Sequence, residues 1–228
     1  MLAGHARGKE FVDYALARLN MVESQIRPNK VTDPRIIEAM LDLPRERFLP
    51  KALRGVGYVD TDIPLGQGRV VLEPMVQARL IQAAEIKPSD VVLEIGTGAG
   101  YGAAVLGRMA STVVALESDP ALARSAQTVL GALGLDNVVI VEGPLRDGHP
   151  AQAPYDVIVF AGAVGAVPDP ILAQLGQGGR LVAVVAPPGR QGKAMLFTRI
   201  AESCPARELF DANSPVLPGF EVEPGFVF

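Results

Sequence analysis

The segment from Val91 to Tyr101 places the strongest constraint on the fold of this chain. It reads Val-Val-Leu-Glu-Ile-Gly-Thr-Gly-Ala-Gly-Tyr, an apolar run followed by glycines at 96, 98 and 100. A strand that stops in a glycine-rich turn before a helix is where α/β proteins bring their backbone close to a nucleotide-like ligand. In such a turn Gly96 permits the tight bend, Gly98 admits the ligand to the main chain, and Gly100 lets the helix pack closely.

The residue after the third glycine indicates which ligand this loop binds. A dinucleotide-binding fingerprint has its last glycine at the position that Tyr101 occupies here. The spacing Gly-x-Gly-x-Gly therefore favours S-adenosylmethionine as the cofactor. An NAD-dependent dehydrogenase is a distant alternative.

Apolar runs alternate with helical patterns along most of the chain. The pattern predicts strands over 91–95, 112–116, 138–141, 155–160 and 180–186, with helices over 75–86, 101–109, 120–133 and 170–175. Continuously apolar strands are typical of a parallel sheet that is buried on both faces. The predicted fold is therefore α/β and Rossmann-like, a mostly parallel sheet with helices on both faces.

We expect the 228 residues to form a single domain with three parts. Residues 1–65 show helical patterns over 11–26 and 33–43 and no strand, which predicts a helical N-terminal cap. Residues 66–188 are the predicted cofactor-binding core. Residues 189–228 are predicted to form an extension of strands and loops, with a late strand over 195–200 and an edge strand over 226–228.

Composition excludes several classes of function. The net charge of −4 provides no basic excess for phosphates, so no nucleic-acid partner is predicted. One cysteine, Cys204, and two histidines, His5 and His149, leave no cluster of metal ligands, so no metal site is predicted. Because no charge-free run is long enough to span a bilayer and the N-terminus lacks a secretory signal, we expect a soluble cytoplasmic protein with no membrane partner.

Acidic residues follow or begin the predicted strands. Glu117 ends the second core strand, 21 residues after Gly96, where a carboxylate accepts hydrogen bonds from ribose hydroxyls; the alternative is a carboxylate that caps the next helix. Glu94 holds either the loop backbone or the ligand's ammonium group, unless it is an ordinary charge at a strand end. Asp156 is interpreted as a structural residue at the start of a strand.

The chain resembles the protein-L-isoaspartate O-methyltransferase family from about residue 21 to 188. The resemblance is carried by segments on both sides of the glycine loop and by the loop itself: Pro44-Arg-Glu-Arg-Phe48, Pro64-Leu-Gly-Gln-Gly68, Val92-Leu-Glu-Ile-Gly-Thr-Gly-Ala-Gly-Tyr101, Ala153-Pro-Tyr-Asp156 and Gly178-Gly-Arg-Leu-Val182. It implies a class I methyltransferase fold with an N-terminal helical addition. The implied reaction transfers a methyl group from S-adenosylmethionine to the free carboxylate of an isoaspartyl residue in a damaged protein or peptide, leaving S-adenosylhomocysteine.

Two functional segments depart from the family pattern. After Gly66-Gln-Gly68 the family continues Gln-Thr-Ile-Ser-Gln-Pro, whereas this chain continues Arg69-Val-Val-Leu-Glu-Pro74. The family's active-site Ser position is therefore Leu72 and its Thr position is Val70, so two hydroxyls are missing. Further on, the family's Gly-Asp-Gly against the adenine is replaced by Gly143-Pro144-Leu145.

These departures define the candidate site and its alternatives. The cofactor site is predicted to comprise Glu94, Gly96, Thr97, Gly98, Gly100, Glu117, Gly143 and Pro144. Leu72 cannot donate a hydrogen bond to an acceptor carboxylate, and Arg69 is either a charge-assisted anchor for it or a solvated loop charge. Two further hypotheses stay open: a methyltransferase with another acceptor, and a cofactor-binding protein without turnover.

Overall fold

A seven-stranded sheet organises the part of the chain that the computed structural model describes, residues 13–222. The strands are β1 (Ile63–Gly66), β2 (Arg69–Val71), β3 (Val91–Ile95), β4 (Thr112–Glu117), β5 (Val138–Glu142), β6 (Tyr155–Val164), β7 (Leu175–Val185), β8 (Lys193–Thr198) and β9 (Ala206–Asp211). The helices are α1 (Tyr14–Met21), α2 (Pro34–Asp42), α3 (Pro74–Ala83), α4 (Tyr101–Gly107), α5 (Pro120–Ala132) and α6 (Asp169–Leu172). Strands β1 and β2 form a separate antiparallel hairpin.

The strand order of the main sheet is β5-β4-β3-β6-β7-β8-β9. Strands β3 to β7 pair in parallel, and β8 and β9 extend the sheet in antiparallel register. The order reverses at β3, because the chain next adds β4 and β5 on one side and later adds β6 on the other. Ligands of α/β sheets bind at the carboxyl ends of the strands beside such a reversal, which is where the glycine loop lies. The predicted α/β fold with a mostly parallel sheet is confirmed.

Both faces of the sheet are buried, which explains the continuously apolar strands. Val92 points into a core that also contains residues of α1 to α5, whereas Leu93 and Ile95 point into a second core on the opposite face. Helix α6 and two residues of the C-terminal region, Leu217 and Phe220, contribute to that second core. A loop segment therefore supplies part of the cover on this face.

Short polar sequences set the starts of two helices. The side chain of Asp33 accepts a hydrogen bond from the Arg35 N–H at 2.9 Å, and Pro34 is the first helical residue. Asp119 caps α5 in the same way, accepting from the N–H groups of the second and third residues beyond it. An Asp cap followed by Pro satisfies free N–H groups and fixes the first helical φ.

The N-terminal cap is less regular than the sequence suggested. The pattern over 11–26 predicted one helix, but α1 ends at Met21 and continues as a π-helical turn, Val22–Ile26, and a 3₁₀ turn, Arg27–Asn29; residues 11 and 12 lie outside the described residues. The segments Arg45–Phe48 and Lys51–Val56 are also 3₁₀ turns. The expectation of no strand up to residue 65 is corrected, since β1 begins at 63.

The C-terminal part departs most from the predicted elements. Strand β7 begins five residues before the predicted start at 180, and α6 is correspondingly short. Strand β9 was not predicted, because its sequence Ala-Arg-Glu-Leu-Phe-Asp is largely exposed and carries charges on an edge strand. The strand predicted over 226–228 lies outside the described residues. Within residues 13–222, no helix is long and apolar enough to cross a membrane.

Candidate cofactor site at the carboxyl edge of the sheet

The glycine loop joins β3 to α4 with its backbone in the left-handed region at three positions. The φ angles of Gly96, Gly98 and Gly100 are 78°, 58° and 90°, values that side-chain-bearing residues rarely adopt. A Cβ atom on Gly100 would lie 3.0 Å from the Cβ of Ala126 in α5. The third glycine therefore permits close helix packing, as its position in the sequence predicts.

Glu94 braces the loop from inside the core. Its side chain is 1% exposed, and one carboxyl oxygen accepts a hydrogen bond from the hydroxyl of Thr97. Burial raises the pKa of Glu94 to about 7, against the opposing effects of the hydrogen bonds from Thr97 and the Ala103 backbone; the nearby charge of Glu117 adds to the increase. These contacts join Glu94 to the Thr97 side chain of the loop and to the backbone of α4. Its two predicted roles, holding the loop backbone and contacting a ligand ammonium group, stay predictions.

Glu117 is the most heavily hydrogen-bonded carboxylate of the site. It is fully buried at the end of β4 and accepts from the backbone N–H groups of Gly98 at 2.8 Å, Ser118 at 2.7 Å and Asp119 at 2.9 Å. The glycine loop and the acidic strand end, which were singled out separately in the sequence, are therefore joined directly. Asp119 caps α5, so the alternative of a capping role for Glu117 is corrected.

Arg69 completes the surroundings of Glu117. Its Nε lies 3.0 Å and 3.2 Å from the two carboxylate oxygens, and its Nη2 donates to the Ser118 hydroxyl at 2.6 Å. The side-chain exposures of Arg69 and Glu117 are 3% and 0%, so Arg69 is not the solvated loop charge considered as an alternative. Its guanidinium is already bonded to Glu117 and Ser118. A role as an anchor for the carboxylate of the methyl acceptor stays a prediction.

The positions of the missing hydroxyls are buried. Leu72 and Val70 are 3% and 7% exposed and belong to the larger core. The carbonyl of Leu72 accepts a hydrogen bond from Arg45 Nη2 at 2.6 Å. Leu72 is therefore an apolar packing residue at the place where the family pattern has a hydroxyl.

The turn Gly143–Pro144 lies beside Glu117 at the end of the neighbouring strand. The Gly143 N–H donates to the Glu117 backbone carbonyl at 3.0 Å, and Pro144 is exposed. This places the turn next to the predicted ribose carboxylate, as a contact with the adenine requires. No carboxylate replaces the family's Asp in the Gly143-Pro144-Leu145 segment itself.

The residue types fit S-adenosylmethionine, but the space above the first glycine is filled. A Cβ atom built on Gly96 would lie 2.9 Å from both terminal methyl carbons of Leu217. The first glycine of the loop is therefore in contact with a leucine of the same chain. A cleft of about 370 Å³ lies instead beside Ala99, lined among others by Leu65, Leu122 and Arg54.

Asp156 lies at the opposite edge of the sheet, away from the site. Its carboxylate accepts a hydrogen bond from the Val91 N–H at 2.9 Å, at the start of β3. The contact agrees with the structural role inferred from the sequence.

His149 contributes a backbone hydrogen bond: its N–H donates to the Gln174 side chain at 2.9 Å. No group of three or more potential metal ligands occurs among residues 13–222.

Two site residues were not recognised in the sequence. Arg45 is fully buried, donates to the carbonyls of Gly57 and Leu72, and has its guanidinium carbon 4.7 Å from the centre of the Tyr101 ring. Burial lowers its pKa below the usual arginine value. The only signal for Arg45 in the sequence was its place in the Pro44-Arg-Glu-Arg-Phe48 segment.

Leu217 had no signal in the sequence, because its contact is with Gly96, in a loop that is distant along the chain.

The family model for protein-L-isoaspartate(D-aspartate) O-methyltransferase matches residues 17–209. The chain belongs to this family. It is 42% identical over 182 residues to a protein-L-isoaspartate O-methyltransferase of Methanoculleus marisnigri, covering 80% of this chain and 83% of that one. It is 41% identical over 193 residues to the enzyme of Methylorubrum extorquens, covering 85% and 84%. The predicted family is thereby confirmed.

Solved structures agree with this assignment. A protein-L-isoaspartate O-methyltransferase superposes with a TM-score of 0.79 at 27% identity, over 90% of this chain and 67% of that one. A putative family member from Plasmodium falciparum, solved with S-adenosyl-L-homocysteine, gives a TM-score of 0.74 at 17% identity, over 91% and 99%. The second likeness supports the fold alone. Members of the family are methyltransferases that use S-adenosylmethionine.

Proposed function

We propose that this chain transfers a methyl group from S-adenosylmethionine to the free carboxylate of isoaspartyl residues in damaged proteins or peptides. The observation that carries the proposal is the hydrogen bond of 2.8 Å between the Gly98 N–H and Glu117, at the point where the strand order reverses. It joins the two cofactor-binding features predicted from the sequence, in a chain that belongs to this family.

The chain offers three groups of contacts for the methyl donor. Backbone of the loop from Gly96 to Gly100 would hold the amino-acid part, Glu117 would accept hydrogen bonds from the ribose, and the turn Gly143–Pro144 would pack on the adenine. When bound, S-adenosylmethionine supplies a methyl group on a positively charged sulfur. Glu94 accepts a hydrogen bond from the hydroxyl of Thr97, which lies between the first two glycines of the loop.

The acceptor needs positioning more than activation. An isoaspartyl carboxylate is anionic at neutral pH, so it requires no general base. Holding the reacting atoms in line can supply about 7–11 kcal/mol of the barrier. Because Leu72 and Val70 are apolar and buried, this chain must position the carboxylate with groups other than the two hydroxyls of the family pattern.

Transfer of tritiated methyl groups to an isoaspartyl peptide tests the proposal. The control is the peptide of the same sequence with a normal aspartyl residue. Labelling of the isoaspartyl peptide alone is expected. Equal and negligible labelling of both peptides, by protein that binds S-adenosylhomocysteine, would contradict the isoaspartyl assignment while leaving donor binding intact.

Substitution of Leu72 tests how the acceptor site is built. Leu72→Ser restores the family's hydroxyl, and isoaspartyl labelling is expected to increase if this position still adjoins the acceptor. Leu72→Ala is the matched control, since it shortens the side chain without supplying a donor. Equal labelling by both variants would show that the hydroxyl has no role in this chain.

A cofactor-binding protein without turnover is the second candidate. Two observations favour it. The buried Leu72 replaces a hydroxyl that would contact the methyl acceptor, and the ion pair with Arg69 engages Glu117, the predicted contact of the methyl donor. Under this candidate S-adenosylhomocysteine raises the melting temperature, but no peptide is labelled. Binding and labelling measured on the same preparation separate the two functions.

A further inference from the structure

Arg45 is a buried arginine whose hydrogen bonds go to no carboxylate among the described residues. Its guanidinium donates to the carbonyls of Gly57 at 2.8 Å and Leu72 at 2.6 Å, and it makes a longer contact of 3.4 Å with the side-chain oxygen of Gln77. Its guanidinium carbon lies 4.7 Å from the centre of the Tyr101 ring. A buried charge without an opposite charge beside it is costly, so packing alone does not account for this side chain.

The four partners of Arg45 belong to different parts of the chain. Gly57 lies at the end of a 3₁₀ turn of the N-terminal cap, and Leu72 is the first residue after β2. Gln77 lies in α3, and Tyr101 is the first residue of α4, directly after the glycine loop. One side chain therefore connects the cap, the hairpin β1–β2, α3 and α4.

The hairpin that leads into Leu72 lies against the glycine loop. A Cβ atom on Gly98 would lie 3.0 Å from a methyl carbon of Leu65 in β1 and 3.7 Å from the carbonyl oxygen of Val70 in β2. Leu72 is also the position at which the family pattern has its active-site hydroxyl. From inside the core, Arg45 thus joins the segment assigned to the methyl acceptor to the helix that begins at the predicted donor loop.

We propose that Arg45 is a positioning residue for methyl transfer. It bonds to the Leu72 carbonyl while its guanidinium rests on the Tyr101 ring, and so it fixes the distance between the acceptor segment after β2 and the donor loop before α4. The inference rests on the proposed function, because a reaction between two bound substrates needs these segments at a fixed distance. A misplacement of about 1 Å can lower the rate by about 100-fold.

Steady-state labelling of the isoaspartyl peptide by Arg45→Met tests this role. The variant loses both carbonyl bonds and the cation, so kcat is expected to decrease by about 10- to 100-fold while the KM of the peptide changes little. The Kd of S-adenosylhomocysteine, measured by calorimetry on the same preparation, should stay within about twofold of the wild-type value. The donor loop keeps its own hydrogen bond to Glu117, which is why its affinity should persist.

Two more variants separate the parts of the contact. Arg45→Lys keeps the buried cation but lacks the planar fork, so its kcat should lie between those of the wild type and Arg45→Met. Tyr101→Leu leaves both carbonyl bonds in place and removes the ring beside the guanidinium, so its kcat should decrease by about 3- to 10-fold. Because Tyr101→Leu retains Arg45, it decides the question even where Arg45→Met does not fold.

Arg180→Met is the matched control. Arg180 is also a largely buried arginine that donates to two backbone carbonyls, those of Ala84 and Glu85, but it lies at the amino edge of the sheet. Its loss should destabilise the fold and leave kcat unchanged at a temperature at which the variant is folded. An equal decrease of kcat in Arg180→Met and Arg45→Met would make Arg45 a structural residue only and would overturn the inference.

Two other results would also overturn it. One is a wild-type kcat in Tyr101→Leu and in the Arg45 variants. The other is loss of S-adenosylhomocysteine binding in folded Arg45→Met, which would assign Arg45 to the donor site instead. A wild-type chain that binds S-adenosylhomocysteine but labels no isoaspartyl peptide is a separate outcome: it contradicts the proposed function, and the inference that rests on it is then wrong as well.

Discussion

Two buried pairs of arginine and carboxylate lie at opposite edges of the same parallel sheet. Arg180 bonds to Asp90 at 2.7 Å at the amino edge, and Arg69 bonds to Glu117 at 3.0 Å at the carboxyl edge. Both carboxylates also accept backbone hydrogen bonds. The two pairs are alike in chemistry, and the amino-edge pair is somewhat more exposed, at 15% and 5% against 3% and 0% for Arg69 and Glu117.

Their surroundings differ. Arg180 also donates to the carbonyls of Ala84 and Glu85, so it fastens the end of α3 to the sheet. Arg69 fastens a hairpin to a loop that α/β proteins use for ligands. The amino-edge pair is a permanent joint between α3 and the sheet, whereas the carboxyl-edge pair lies in the predicted cofactor site. The role of a buried ion pair in this sheet therefore depends on the edge at which it lies.

The largest effect is expected from breaking the permanent joint. Arg180→Met leaves Asp90 buried without a cation, so the free energy of unfolding should decrease by about 3–5 kcal/mol. Equilibrium unfolding in urea measures the loss. The affinity for S-adenosylhomocysteine should be unchanged. A loss below about 1 kcal/mol would show that the two edges do not differ in this way.

Glu94 sharpens the comparison, because it is a buried carboxylate at the carboxyl edge that forms no salt bridge within residues 13–222. Its pKa is about 7 in the folded chain against an ordinary value of 4.5. The folded state therefore binds more protons, so the contribution of Glu94 to stability is full below pH 4.5 and is lost as the pH increases to about 7.

Unfolding of Glu94→Gln measured across this pH range tests the shift. The stability of the variant relative to the wild type should increase by about 3 kcal/mol between the two pH values, since each pKa unit corresponds to about 1.4 kcal/mol. Other titrating groups cancel in this difference. Parallel curves for the two proteins would show that Glu94 titrates normally.

The same two edges show what the sequence could predict. The glycine loop and Glu117 were found because local patterns define them: an apolar strand, a glycine spacing and a carboxylate at a strand end. The parallel sheet followed from continuously apolar strands. The pairing of Arg69 with Glu117 was not predicted, because 48 residues separate them and an arginine between a glycine turn and apolar residues looks like a surface charge.

The C-terminal segment was the hardest part to predict. Its prolines and glycines exclude a regular helix, and it has no periodicity that would identify a buried face. Leu217 packs where Gly96 and Gly162 lack side chains, and these two glycines lie in a loop and a strand that are remote in the sequence. Local propensity therefore carries no information about this contact.

Breaking the carboxyl-edge pair should cost less than breaking the joint. After Arg69→Met, Glu117 keeps three backbone N–H donors, so the loss of unfolding free energy should be about 1–2 kcal/mol. This variant also frees Glu117 for the ribose. At one fixed concentration of S-adenosylhomocysteine, about 100 times the Kd of Arg69→Met, binding should add about 2.7 kcal/mol to this variant and recover the loss. The same ligand should stabilise Arg180→Met by no more than it stabilises the wild type. Equal ligand effects on the two arginine variants would contradict the distinction between the edges.

The smallest effect is expected from single hydroxyls that support the two edges. Ser118→Ala removes the bond of 2.6 Å from Arg69, and Ser111→Ala removes the bond of 2.8 Å to the Asp90 carbonyl. Each should lower the unfolding free energy by about 0.5–1.5 kcal/mol. Only Ser118→Ala loosens an arginine that is bonded to the predicted ribose carboxylate, so it alone should change the affinity for S-adenosylhomocysteine, by about 2- to 10-fold. Calorimetry on the two variants separates them, and an equal affinity of both would show that the Arg69 contact has no influence on binding of the donor.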